Sequence, residues 1–454
     1  MRTGLLALSF PLAALSGQQA APTHLAGSIE VSRVTGIMRV DACLTNRPPT
    51  RRALFILNAG FNVRIVHRGD GKPLRYMLRD DNVKATTIGE GLIYTVRDSI
   101  GPDQPLCVEY VGAFPVFAID SGAFAFTDYK GFIAFNGKTV RAAEQTKWYP
   151  IPYDSTLGPR AFEAVTYDLD VRCDDCRGIY VNGNAPQRGP RATFRSTDPV
   201  SLLLFAGEIE WTTVGSTVVI NNPLPERAVR TISTMVDSIG AYYARFIGVP
   251  YGKPIVFLTH RIIENNPRRR WGFVTYPTIA FSGDGLSGLL ADYGHVAPFA
   301  WGYMGHEMAH YYFGTLSHPA GPLNGLTESF AEYLALKLVR RQLGDSAFKE
   351  RIRPYLADWM QDSTSAPIDS VVSATEVSER YLYEFGPIAL LTLDAMVGER
   401  TMSAFLRALV SQPSPRWDYA ALRAAALKSG VSLDTWTQFE EQCVHREARV
   451  SCGR

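Results

Sequence analysis

The stretch Gly305-His306-Glu307-Met308-Ala309-His310 constrains the fold of this chain more than any other. On a helix, residues four apart lie one above the other on one face, so His306 and His310 would present two imidazoles to one point. Two imidazoles with a glutamate between them form an arrangement that binds zinc and supplies a base beside it. Pro298 suits a first helical turn, and no proline interrupts residues 299–313. The spacing therefore predicts a helix over 298–313 that carries a metal site.

Two further glutamates complete the predicted site. A catalytic zinc ion usually has three protein ligands and one water molecule. We expect Glu328 to be the third ligand, because a loop of 17 residues after His310 lets a second helix return beside the first. Glu332, one turn further on the same face, is expected to accept a hydrogen bond from a ligand imidazole. His318 is a rival ligand, but zinc peptidases with three histidines have the third one six residues after the second, where this chain has Leu316.

A site of this kind implies a hydrolytic reaction. Zinc would lower the pKa of its bound water to about 7. Glu307 would take the proton as general base and pass it to the leaving amine. A hydroxyl donor is then needed on the other side of the substrate to stabilise the oxyanion of the tetrahedral intermediate.

Three segments resemble motifs of the gluzincin metallopeptidase family that includes alanyl aminopeptidase and leukotriene-A4 hydrolase. HEMAHYYFG at 306–314 is similar to "HELAHQWFG", LTESFAEY at 326–333 to "LNEGFAEY", and YEFGPIALL at 383–391 to "YEKGALLL". The resemblance implies one zinc ion, a peptide or protein substrate, and an N-terminal β saddle before a thermolysin-like catalytic domain. It assigns the metal ligands to His306, His310 and Glu328, the base to Glu307, and the oxyanion donor to Tyr383, with Tyr381 as the alternative donor.

The chain departs from the family at the substrate-binding strand. Residues 272–277, GFVTYP, align with the family's "GGMEYP", but Thr275 replaces the glutamate that pairs with the free α-amine of the substrate. An aminopeptidase that uses an acid from another loop, an endopeptidase, and a catalytically silent binding protein of the same fold therefore remain open. Arg268–Arg270, just before this strand, is either a solvated basic loop or a group that selects a carboxylate.

Composition and the N-terminus indicate an exported globular protein. The 454 residues are 46% hydrophobic and 20% charged with a net charge of +2, which gives no indication of a nucleic-acid partner. Residues 1–20 resemble a signal peptide, because Arg2 precedes the apolar run 5–15 and small residues follow it. We therefore expect a secreted or periplasmic protein, with retention of this segment as an N-terminal anchor as the alternative. No later stretch is long and uncharged enough to span a membrane.

The cysteines agree with export. Six cysteines in an exported chain predict disulfides. The sequence alone does not fix their connectivity; the pairs that we expect are Cys43–Cys107, Cys173–Cys176 and Cys443–Cys452. Cys173 and Cys176 are also spaced as half of a zinc or redox motif, but the two aspartates between them disfavour a thiolate and no second CxxC exists.

The distribution of apolar residues predicts two domains. Residues 21–225 contain short β-rich runs separated by turn signals, which predict an antiparallel β sandwich or saddle. Residues 226–454 are dominated by helical spacing, so we expect an α+β protein with a mainly α catalytic domain. The predicted strands of the first half are 53–57, 63–66, 92–96, 107–111, 164–171 and 200–205. The predicted helices are 228–247, 298–313, 327–342, 346–361, 378–397, 401–411, 418–428 and 432–443.

Overall fold

The structure is a computed structural model that describes most of the chain. The described residues are 22–50, 52–79, 91–117, 132–154, 162–260, 272–283, 285–359, 367–371, 376–412, 416–445 and 452. The predicted signal peptide at 1–20 and the Arg268–Arg270 segment lie outside them. None of the helices within the described ranges combines the length and the apolar character needed to cross a membrane.

The first half of the chain consists of strands joined by turns, as its short apolar runs predicted. Its strands are β1 (His24–Val31), β2 (Ile37–Thr45), β3 (Leu54–Asn58), β4 (Phe61–Arg68), β5 (Tyr76–Leu78), β6 (Gly91–Val96), β7 (Leu106–Ala113), β8 (Ala134–Phe135), β9 (Thr139–Ala142), β10 (Ile151–Pro152), β11 (Ala164–Arg172), β12 (Gly178–Val181), β13 (Gln187–Arg188), β14 (Arg191–Ser201) and β15 (Leu204–Gly207). The run predicted as one strand over 200–205 is divided, because β14 ends at Ser201 and β15 begins at Leu204.

These strands form sheets, and most of their buried apolar side chains belong to one core cluster. The sheets run in the orders β14-β11-β1-β2-β7-β4, β10-β3-β6-β5 and β13-β12-β15-β9-β8. Their named strand pairs are antiparallel, as predicted, except that β1 pairs in parallel with β11. Cys43 on β2 lies directly opposite Cys107 on β7, and a disulfide joins them. The other two predicted disulfides, Cys173–Cys176 and Cys443–Cys452, are also present.

The second half is mainly helical. After β15 come the last two strands before residue 225, β16 (Trp211–Val214) and β17 (Thr217–Ile220). The elements of the second half are α1 (Glu226–Ile247), β18 (Val256–His260), β19 (Gly272–Thr275), β20 (Thr278–Ser282), β21 (Leu290–Asp292), β22 (His295–Val296), α2 (Pro298–Ala309), β23 (His318–Pro319), α3 (Leu326–Trp359), α4 (Gly386–Val397), α5 (Glu399–Val410), β24 (Arg416–Trp417), α6 (Tyr419–Lys428) and α7 (Leu433–Phe439). The α+β class is therefore confirmed.

Several helices differ in detail from the prediction. The one predicted at 378–397, for example, is a turn of π-helix over Tyr381–Phe385 followed by α4. The helix α2 ends at Ala309 instead of residue 313, but His310 keeps right-handed helical angles (φ −61°, ψ −14°), so it stays one turn above His306. The helices predicted at 327–342 and 346–361 are two parts of α3 that meet at Gly344 (φ 87°, ψ 176°). A positive φ favours glycine, so this residue allows the chain to change direction there.

The two halves share an interface. The hairpin of β16 and β17 extends the sheet β16-β17-β18-β20-β19, so strands before residue 225 pair with strands after it. The domain boundary near residue 225 stays a prediction. The side-chain amide of buried Asn182, from the first half, donates to the carbonyl oxygens of Thr275 (2.9 Å) and Tyr276 (2.7 Å). This contact fixes the end of β19 against the first half.

Candidate active site

One face of the helix α2 is anchored in the core of the second half. Its buried side chains include Met304, Met308 and Ala309, which pack in the core of the second half. The hydroxyl of Tyr243 on α1 donates to the carbonyl oxygen of Gly305 at 2.9 Å. The opposite face of the helix, with its two histidines and Glu307, lines a cavity of about 250 Å³ between the two halves.

The predicted metal ligands meet at one point. Glu328 Oε2 lies 3.1 Å from His306 Nε2 and 3.3 Å from His310 Nε2. The other nitrogen of each ring has a hydrogen-bond partner. His306 Nδ1 lies 3.0 Å from Glu332 Oε2, and His310 Nδ1 lies 3.1 Å from the carbonyl oxygen of Phe313. If each Nδ1 carries the proton, as these acceptors require, both Nε2 lone pairs face Glu328.

The chemistry of this group fits zinc. Two imidazole nitrogens and one carboxylate oxygen lie within 4.8 Å of one another, which matches the three-ligand set of catalytic zinc sites. Burial opposes the charged form of Glu328, but when the Nε2 atoms of the two imidazoles carry protons, their hydrogen bonds and charge outweigh it and hold the pKa of this carboxyl well below the usual range. The sulfur atoms of another potential cluster, Cys173 with Cys176, are joined in a disulfide. His318 lines the cavity but is not part of the cluster that includes His306 and His310.

Tyr383 lies at the cavity wall beside the ligand cluster. It belongs to a turn of π-helix over Tyr381–Phe385, and its ring stacks on His306 with centroids 5.8 Å apart. Tyr383 is 41% exposed, but its partial burial, together with the Glu328 carboxylate, raises its pKa, so the hydroxyl remains a hydrogen-bond donor. Tyr381, the alternative donor, is buried against Phe385 with centroids 5.0 Å apart. Of these two tyrosines, Tyr383 is the one that lines the cavity.

Glu307 has a tyrosine partner that the sequence interpretation did not include. Tyr303 lies one turn earlier on α2, and its hydroxyl lies near the Glu307 carboxylate. Burial first, and this carboxylate second, raise the pKa of Tyr303, so it can serve Glu307 as a neutral donor. The spacing of four residues was the signal that could have found it.

A buried acid faces Thr275, where the family motif has its glutamate. The Thr275 hydroxyl donates to Glu144 Oε2 at 2.7 Å, and both side chains are buried. Burial raises the pKa of Glu144 to about 7, Glu163 adds to the increase, and Thr275 and Lys147 oppose it. Lys147 is itself paired with Glu163. No local pattern marked Glu144, since it lies 131 residues from Thr275 in the chain.

The described residues that line this cavity are acidic overall. They include Glu144, Glu163, Glu307 and Glu328, and none of the described lining residues is lysine or arginine. A cavity with this charge favours cations and groups such as a free amine.

Comparison with known proteins identifies the fold. No protein-family model and no curated protein matches the chain. Among solved structures, native yeast LTA4 hydrolase is similar with a TM-score of 0.67 at 13% identity, covering 95% of this chain and 72% of that one. The M1 zinc metallopeptidase from Deinococcus radiodurans has a TM-score of 0.61 at 16% identity over 94% of each chain. This chain has the fold of the M1 zinc metallopeptidases.

The M1 fold extends over nearly the whole chain. A point mutant of the Deinococcus radiodurans M1 metallopeptidase, solved with a Tyr-Ser-Ala substrate, has a TM-score of 0.58 at 16% identity and covers 95% of this chain and 94% of that one. The resemblance stated from motifs at 306–314, 326–333 and 383–391 is thereby confirmed for the fold. The likeness also includes the β-rich first half, for which the sequence offered no motif.

Proposed function

We propose that this chain is an exported zinc-dependent peptidase that hydrolyses peptide bonds at the free amino end of its substrates. The observation that carries the proposal is the convergence of His306 Nε2 and His310 Nε2 on Glu328 Oε2. Glu307 and Tyr383 line the same cavity. A binding protein of the same fold would need neither a base nor a hydroxyl donor beside its metal ligands.

The roles of the side chains follow from their positions. One zinc ion held by His306, His310 and Glu328 would supply an activated water and a positive charge beside the scissile carbonyl. Glu307 would accept a proton from the water and return it to the leaving amine. The neutral Tyr383 hydroxyl would donate to the oxygen that becomes negative during attack, an interaction that is stronger in the transition state than in the substrate.

Glu144 is our candidate for the acid that binds the α-amine. It accepts a hydrogen bond from Thr275 in the same cavity as the proposed metal ligands. The charge of Lys147 also acts on Glu144, but Lys147 is paired with Glu163 and is not among the described residues that line the cavity. The family glutamate that Thr275 replaces is thus compensated from the other half of the molecule. A carboxylate in this position would attract an ammonium group through a charge-assisted hydrogen bond, which favours an aminopeptidase over an endopeptidase.

Export is supported by the three disulfides, which persist in oxidising compartments outside the cytosol. A secreted or periplasmic location requires cleavage of the predicted signal peptide near residue 20. N-terminal sequencing of the protein recovered from culture medium or periplasm would find a new N-terminus there. An intact Met1 in a cytosolic fraction would contradict export.

The catalytic proposal is tested with Glu307→Gln. This substitution removes the base without changing the metal ligands, so hydrolysis should fall below detection while one zinc ion per chain remains bound. Elemental analysis and mass spectrometry of a digested peptide library measure the two quantities. Unchanged cleavage by Glu307→Gln would refute the assigned base. A wild-type chain that binds zinc but cleaves no peptide of the library would identify a silent binding protein instead.

The exopeptidase proposal needs its own comparison. Of two peptides of identical sequence, the one with a free N-terminus should be cleaved much faster than the N-acetylated one, because acetylation removes the charge that Glu144 binds. Mass spectrometry of the products shows both the rate and the position of cleavage. Equal rates, or cleavage in the interior of acetylated peptides, would establish an endopeptidase.

A further inference from the structure

The carboxylate of Glu332 is buried, and both of its oxygens have hydrogen-bond partners. Its exposed fraction is 4%. Oε2 lies 3.0 Å from His306 Nδ1, and Oε1 accepts hydrogen bonds from Arg351 Nε (3.1 Å), Arg351 Nη2 (2.8 Å) and the Tyr355 hydroxyl (2.7 Å). Since partners occupy both oxygens, the carboxylate cannot rotate without breaking several hydrogen bonds. The imidazole of His306 is held through it.

Arg351 and Tyr355 reach Glu332 from a distant part of α3. Both lie after the change of direction at Gly344, so the second part of the helix returns toward the first. On the other side, Gly302 of α2 leaves room for the guanidinium, since a Cβ at this position would lie 2.0 Å from Arg351 Nη1. Arg351 is therefore confined between α2, one turn before His306, and the carboxylate that it binds.

We propose that Arg351 and Tyr355 are positioning residues for the zinc site, which act on the ligand His306 through Glu332. This inference rests on the proposed zinc site. A lone buried carboxylate is unstable, and Arg351 supplies both a compensating charge and two hydrogen bonds. Partners beyond the ligands typically change metal affinity about 10- to 100-fold, because they fix the orientation of a ligand ring.

The test measures the zinc affinity of three variants. Arg351→Met removes the charge and keeps much of the side-chain volume, and Tyr355→Phe removes only the hydroxyl. Arg353→Met is the matched control, since Arg353 is an exposed arginine two residues along the same helix. Zinc is removed from each protein and titrated back against a chelator of known affinity, and thermal unfolding of the metal-free forms is recorded.

We expect about 10- to 100-fold weaker zinc binding for Arg351→Met and a smaller loss, of about 3- to 10-fold, for Tyr355→Phe. Arg353→Met should bind zinc as the wild type does. A purely structural role would lower the unfolding temperature of the metal-free protein and leave zinc affinity unchanged. Zinc affinity within twofold of wild type in both Arg351→Met and Tyr355→Phe would overturn the proposal. If Arg351→Met does not fold, Tyr355→Phe decides.

A substitution on the opposite helix provides an independent test. Gly302→Ala should displace the guanidinium and weaken zinc binding in the wild-type background, but should add little in the Arg351→Met background, where the clash is absent. Equal effects of Gly302→Ala in both backgrounds would contradict the proposed path through Arg351. A separate variant, His306→Ala, tests the zinc site itself. If His306 is not a zinc ligand, this variant will bind zinc as the wild type does.

Discussion

Replacing Glu144 with glutamine removes a negative charge from the cavity while the side chain keeps its size. The Thr275 hydroxyl can still donate to the amide oxygen, so the local geometry should persist. A hydrogen bond between charged partners contributes about 1.5–3 kcal/mol. At about 1.4 kcal/mol for each factor of ten, its loss corresponds to about 10- to 150-fold in binding of a free α-amine.

The assay compares free and N-acetylated peptides of one sequence. Their dissociation constants are measured by calorimetry in the Glu307→Gln background, which separates binding from cleavage. The preference for the free amine should rise between about pH 5 and pH 7 as Glu144 ionises near its pKa of about 7, a range in which the α-amine of the peptide keeps its charge. This rise should be absent in the Glu144→Gln variant, and its preference should be lower. The ratio of the two constants cancels titrations of the protein that affect both peptides alike, and working below about pH 7 avoids deprotonation of the free α-amine.

Glu210→Gln, which removes an exposed acid from the first half, is the control and should leave the preference unchanged. A preference within twofold of wild type in Glu144→Gln would refute the assigned role. An equal loss for free and acetylated peptides would indicate a general defect of the cavity instead of a lost amine site.

The same substitution has a predicted effect on stability. Because the pKa of Glu144 rises from 4.5 to about 7 on folding, the folded protein holds a proton that the unfolded chain releases between these values. This contribution to stability is fully present below pH 4.5 and is lost as pH rises through 7. Relative to Glu144→Gln, the wild type should therefore lose on the order of 3 kcal/mol of unfolding free energy between pH 4 and pH 8. Urea unfolding at both pH values measures the difference, and parallel pH profiles would contradict the raised pKa.

The remaining predictions concern other contacts of the fold and the site. Tyr383→Phe should lower kcat by about 10²- to 10³-fold with KM nearly unchanged, because the hydroxyl acts mainly in the transition state; an equal rise in KM would indicate substrate binding instead. Gly272→Ala would place a methyl group 2.1 Å from the Tyr303 hydroxyl. It should therefore reduce kcat in the wild type and have little further effect in the Tyr303→Phe variant, whereas additive losses of kcat would argue against this contact. Replacing Cys43 and Cys107 with serine should lower the unfolding free energy by about 4 kcal/mol, since the disulfide closes a long loop; an unchanged urea midpoint would show that the cross-link is dispensable.

The sequence determined those features that depend on local spacing. A separation of four residues on a helix placed His306 and His310 on one face, and the first-turn position of Glu328 on a returning helix gave the third member of the cluster. Strand lengths in the first half and helix lengths in the second followed from apolar periodicity, which side-chain burial imposes on each element separately. The expected disulfide pairs are present, but the sequence did not determine them, because spacing alone leaves several connectivities open.

Tertiary structure decided the contacts between distant segments. Glu144 meets Thr275 only because the two halves share an interface, and no periodicity within either segment encodes that contact. Arg351 reaches Glu332 only because α3 changes direction at Gly344, which a helical pattern on both sides of the glycine does not reveal. The local pattern of apolar residues indicates which face of a helix or strand is buried. Which residues meet across an interface depends instead on how whole helices and strands pack. The sequence thus determined the spacing of the proposed metal ligands, and the packing of the two halves determined which charges surround them.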